Sequence, residues 1–100
     1  MSYSSKNDLS VLAKARLQIR AVNNPLRQRI LAFIKDNKNR ICVTDIYKKL
    51  RIEQSVASAQ LRILRDAKMV VTKRDGKVIY YSVDVAAVKN LIDICQQLIK

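Results

Sequence analysis

The chain has 100 residues, Lys+Arg 20 against Asp+Glu 8, and a formal net charge of +12. That length holds one domain, residues 1–100, which buries roughly 60–70% of its unfolded surface, and a hydrophobic fraction of 49% excludes a disordered tail. Gly 1 and Pro 1 exclude the turn-rich all-β folds, and His 0 removes the commonest general base and the commonest transition-metal ligand.

The first seven residues are polar and are expected to be frayed. From Asp8 a helical period runs through Leu9, Leu12, Ala15, Ile19 and Val22. Asn23-Asn24-Pro25 breaks it, and Pro25 suits the first turn of a second helix, because its missing N–H has no partner there anyway. Leu26, Ile30, Phe33 and Ile34 give that helix its apolar face. After a polar break at residues 36–40, Ile41-Cys42-Val43 reads as a short strand or a buried lead-in. Thr44 is the expected N-cap of a short third helix carrying Ile46, Tyr47 and Leu50, with Asp45 well placed against the helix dipole. A turn of residues 51–54 leads into a fourth helix near 54–66, with Ala57, Leu61 and Leu64 on one face.

The period then changes to alternation. Residues 69–73 and 78–83 read as two strands, joined by Arg74-Asp75-Gly76-Lys77, where Asp-Gly signals a tight turn that needs positive φ. From about Asp84 a last helix carries a broad apolar stripe of Val85, Val88, Leu91, Ile92, Cys95, Leu98 and Ile99. One side of it can lie on the core; the rest faces water unless a second subunit covers it.

The order is mainly α with a small β-hairpin: four helices, the hairpin, and a last helix. A short helix, a tight turn and a second helix make a helix-turn-helix, and the hairpin makes it winged. In that arrangement the second helix enters the DNA major groove. Here its outward faces carry Gln54, Ser55, Ser58, Gln60, Arg62 and Arg65, types that reach base edges and phosphates, and no acid lies between Gln54 and Arg65. Lys73, Arg74 and Lys77 surround the hairpin tip and are the candidate wing contacts. Lys48, Lys49 and Arg51 end the third helix, where they can meet phosphate or simply favour the helix dipole.

These stretches resemble the ArsR/SmtB family of winged-helix repressors. The matching segments are Pro25 to Leu31, Val43 to Ile46, Ser55 to Leu64, Ala67 to Val70, and the wing ending Tyr80-Tyr81-Ser82-Val83. The resemblance implies a homodimer formed by the first and last helices, here through Leu9, Leu12, Val88, Leu91, Ile92, Cys95 and Leu98. It also implies a palindromic operator of double-stranded DNA, and repression released by an effector, often a metal. The sequence departs from the pattern. Gln60 stands where the family often has His. Lys68 replaces the Gly that usually precedes the wing; in the left-handed capping position it is strained by about 1 kcal/mol. Of the family's third-helix arsenic ligands, Cys42, Thr44 and Tyr47 leave one thiolate. Of its last-helix zinc ligands, Asp84, Ala86, Gln97 and Lys100 leave one carboxylate, which does not hold zinc. No metal site, and no cofactor, is therefore expected.

Other classes fit less well. Catalysis lacks a phosphate loop or a nucleophile with a base. A membrane-surface protein would gather its cations on one amphipathic face, and no apolar run approaches the ~20 residues that span a bilayer. With no recognisable signal peptide, the expected location is the cytoplasm. Two alternatives remain open: a winged-helix protein-interaction module, and a repressor that responds to redox state or sulfur through Cys42 and Cys95.

Overall fold

The computed structural model describes the backbone of residues 6–99 and the side-chain surroundings of residues 12–94 and 96–97. Residues 1–5, part of the segment expected to be frayed, lie outside the described residues. The elements are α1 (Lys6–Val22), α2 (Pro25–Asp36), β1 (Ile41–Cys42), α3 (Val43–Leu50), α4 (Gln54–Asp66), β2 (Val70–Asp75), β3 (Val78–Val83) and α5 (Val85–Ile99). The expected winged helix-turn-helix order is the observed one, with α3 and α4 as the helix pair and β2–β3 as the wing.

Local chemistry accounts for the boundaries. Asn24 sits in an extended conformation and its side-chain oxygen accepts from the Arg27 N–H at 3.0 Å, while Pro25 opens α2. The last four carbonyls of α1 all find partners. Ile19 O accepts from Asn23 N–H, Arg20 O and Ala21 O from the Arg27 guanidinium, and Val22 O from the Gln28 amide. Side chains of α2 thus cap α1 and fix the corner between them. Helices α3 and α4 both end in a left-handed residue, Arg51 (φ 57°) and Lys68 (φ 63°). At the second of these ends, Met69 N–H reaches Leu64 O and Lys68 N–H reaches Arg65 O, each at 2.9 Å, which is the Schellman pattern. Lys68 therefore occupies the strained position expected of it. Asp84 caps α5 by accepting from Ala87 N–H at 3.0 Å.

The core is built from Ile30, Ile34, Ile46, Leu61, Leu64, Met69 and Val70, with Ala15, Ala21, Ile41, Ala67, Val83 and Leu91 around them. The three strands form one antiparallel sheet in the order β1-β3-β2. Val70 pairs with Val83, and both are buried, so this rung fixes the hairpin register. Asn39, itself left-handed at φ 54°, extends the β1 side of the sheet with its side chain. Its oxygen accepts from Val83 N–H at 2.7 Å and its amide nitrogen donates to Val83 O at 3.1 Å.

Five sequence expectations need correction. Thr44 is not the N-cap of α3: Cys42 holds the extended cap position (φ −91°, ψ 161°) because it is paired with Tyr80, and the helix begins at Val43. The hairpin loop is Gly76-Lys77, not residues 74–77, because Asp75 pairs with Val78. Only the first loop residue, Gly76, has positive φ, at 65°, as in a II′ turn. The first helix starts at Lys6 rather than Asp8. Its buried stripe is Ala15, Gln18 and Ala21, while Leu12 and Ile19 turn outward. Leu91, expected at a subunit contact, is 5% exposed and belongs to the chain's own core.

Candidate nucleic-acid interface

Helix α4 presents two unlike sides. Ala57, Leu61 and Leu64 are buried against the core, and this anchors the helix without using its polar residues. Gln54, Ser55, Ser58, Ala59 and Arg62 are exposed. With small Ser and Ala residues along this side, another surface can approach the helix backbone closely. Glu53 takes the N-cap position but makes no side-chain cap bond, so the first backbone N–H groups of α4 remain open to an anion.

Gln60 differs from the other five residues expected on the outward faces of this helix, Gln54, Ser55, Ser58, Arg62 and Arg65, which are all exposed. It is half-buried, and its Oε1 accepts from Arg27 Nη1 at 2.7 Å. Arg27 carries no sequence signal beyond its place in the Pro25-Leu26-Arg27 stretch, because its partner is 33 residues away.

The wing residues Lys73, Arg74 and Lys77 are all exposed, but the hairpin does not bring them onto one face. Successive strand residues alternate. Arg74 pairs with Ile79 on the side continuous with buried Val70 and Val83. Lys73 pairs with Tyr80 on the opposite side, together with Asp75 and Val78. Arg74 also folds back, its Nε donating to Gly76 O at 3.2 Å, and Lys77 stands in the loop itself.

Arg40, which sequence reasoning missed, braces the wing. Its guanidinium lies 4.0 Å from the Tyr80 ring centroid and 3.2 Å from Asp75 Oδ2. Both side chains of this ion pair are more than half exposed (53% and 69%), so the pair contributes at most about 1 kcal/mol. Its main effect is to occupy the one acid of the wing, leaving the tip's other charges all positive.

The expected subunit surface is partly described. Leu12 and Ile92 are exposed, with 40% and 51% of their surface accessible, and Val88 is half-buried. Ile19, Val22 and Ile92 border an open apolar groove of about 390 Å³ between α1, α2 and α5. The side chains of Leu9, Cys95 and Leu98 lie outside the described residues.

The residues at the family's metal positions do not fit a metal. Cys42 is half-buried and its thiol donates to Asp45 Oδ2 at 3.3 Å, beside Thr44 and Tyr47, which carry no thiolate. The Asp84 carboxylate is engaged as the α5 cap. Among the described residues no three His, Cys, Asp or Glu side chains gather into a potential metal site, and no helix is long and apolar enough to cross a membrane.

Comparison with known proteins agrees with this geometry. The family described as "Bacterial regulatory protein, arsR family" matches residues 24–72. The chain is 34% identical over 71 residues to the transcriptional repressor SmtB homolog of Synechocystis sp., covering 71% of this chain and about half (52%) of that protein. It is 33% identical over 90 residues to the HTH-type transcriptional regulator NmtR of Mycobacterium tuberculosis, covering 90% of this chain and 73% of the relative. Among solved structures, the homodimeric winged helix-turn-helix DNA-binding domain of Mb0332 from Mycobacterium bovis superposes with a TM-score of 0.74, covering 97% of this chain and 91% of that one. At 24% identity that likeness speaks for the fold alone. On the strength of the sequence matches, joined to an exposed face of α4 that carries no acid from Gln54 to Arg65 beside a basic wing, the chain belongs to the ArsR family of bacterial regulatory proteins and is a DNA-binding transcriptional regulator, not an enzyme.

Proposed function

We propose that the protein acts in the cytoplasm as a homodimeric repressor on palindromic double-stranded DNA, without a metal cofactor. Each subunit lays α4 in a major groove through Gln54, Ser55, Ser58 and Arg62. The wing places Lys73, Arg74 and Lys77 on the neighbouring backbone or minor groove. Two α4 helices related by a twofold axis would read two equivalent half-sites. The observation that carries this reading is the exposed side of α4, which carries no acid from Gln54 to Arg65, on a helix whose opposite side is fully buried, in a chain of net charge +12. The relative named as a repressor supports the direction of regulation, and the outward apolar residues Leu12 and Ile92 on the first and last helices support the assembly.

Binding of the purified protein to genomic fragments, followed by titration at two salt concentrations, tests it. A dimer touching ~6–10 phosphates weakens by ~10³–10⁵-fold between 50 and 200 mM salt, and its selected fragments share a twofold-symmetric sequence. Affinity that barely responds to salt, with no shared sequence, would instead mark a protein-interaction module.

A further inference from the structure

We infer that Arg27 and Gln60 are positioning residues, whose hydrogen bond sets the angle of α4 against the α1–α2 corner, and that Gln60 does not read a base. This rests on the DNA-binding reading above and refines it.

Around α4, at 3.6 residues per turn, Gln60 lies about 160° from both Ser58 and Arg62, on the flank facing away from theirs. Arg27 has donors only, so the amide of Gln60 must present its oxygen to it. Reading adenine takes both the oxygen and the nitrogen of a Gln amide on one base edge. With Oε1 held by Arg27, that bidentate pairing is unavailable.

The same guanidinium holds two other elements. Nε donates to Ala21 O and Nη2 to Arg20 O, at the carbonyl end of α1, where a cation is favoured. One planar fork therefore joins the end of α1, the start of α2 and the middle of α4. Helix α1 also carries Leu12 and Ile19 on its outward side, the side expected to meet the second subunit. A change in the Arg27–Gln60 bond thus tilts each recognition helix relative to the dimer axis, and so alters the half-site separation that both helices can engage at once. Lysine keeps the charge but not the fork, so it cannot span all three partners.

The test uses the full-length protein and the duplex it selects, with Arg27→Lys, Gln60→Leu, the double variant and Gln60→Glu. Arg27→Lys and Gln60→Leu should each weaken binding to the selected duplex by about tenfold, and the double variant by no more than either alone. Affinity for random duplex stays unchanged. Base preference stays unchanged at every position, while the tolerated half-site separation broadens. Gln60→Glu, which keeps the acceptor, retains the parental separation. If Gln60→Leu relaxes preference at one base pair while Arg27→Lys binds normally, or if the two losses add, the inference is overturned. Should Arg27→Lys fail to fold, the two Gln60 variants decide the matter: separation altered by Leu and kept by Glu supports the inference, and a single-base effect in both overturns it. A parental protein that selects no duplex would overturn the regulator reading and this inference together.

Discussion

Replacing Lys68 by Gly should stabilise the protein, although it removes a long, charged side chain. Lys68 has φ 63° at the end of α4, in the region that costs an L-residue about 1–2 kcal/mol. Glycine relieves this but gives back roughly 0.5–1 kcal/mol through its freer unfolded chain. The side chain is exposed, so little packing is lost. The net gain is about 0.5–1 kcal/mol, or roughly 2–8 °C in Tm for a domain of this size. Thermal melts should be run at one protein concentration, because the Tm of the proposed dimer depends on concentration. Lys68→Ala is the control: it removes the charge and keeps the Cβ, and should bring no gain. If Ala raises Tm as much as Gly, the effect is relief of charge repulsion and not of backbone strain. A fall in Tm with Gly would refute the capping argument outright.

Asn39→Ala deprives both polar groups of Val83 of their partner and should cost about 1–3 kcal/mol, read as a lower urea midpoint. Asn39→Asp, which keeps only the acceptor, should fall between the two. Ile92→Lys should give a folded monomer by sedimentation, since Ile92 is half exposed and outside the core; a persistent dimer would place the subunit contact elsewhere. Arg62→Ala should lower affinity for the selected duplex by about 1–3 kcal/mol and blur one position of the sequence, whereas Lys77→Ala should weaken all duplexes alike and reduce the salt slope by about one. Competition binding at several salt concentrations separates these two behaviours.

What could be read in advance was local. Ala57, Leu61 and Leu64 at helical spacing defined α4 from residue 54 to 66, and the change to alternation after Lys68 announced the wing. The family resemblance located Lys68 at its strained corner. Contacts between distant residues were not readable. Arg27 meets Gln60 across 33 residues, Arg40 meets Asp75 across 35, and Asn39 meets Val83 across 44. Nothing in a neighbouring side chain marks any of these three. The local errors had tertiary causes as well. Pairing with Tyr80 drew Cys42 into the cap position that Thr44 would suit by propensity. The buried Val70–Val83 rung set a register that consumed Asp75 and shortened the loop to Gly76-Lys77, whatever turn Asp-Gly favours by itself.

The left-handed positions have a consequence for how such a protein can be hardened. Lys38, Arg51 and Lys68 stand at helix ends where glycine would be the more comfortable residue, and each supplies a cation instead. Heat resistance and attraction to a polyanion are thereby set in opposition within the same three side chains. Variants screened only for melting temperature should drift toward glycine at these corners and give up as many as three units of the +12 net charge, weakening the long-range attraction to nucleic acid, while variants screened for retention on DNA should keep the basic residues and stay thermally modest.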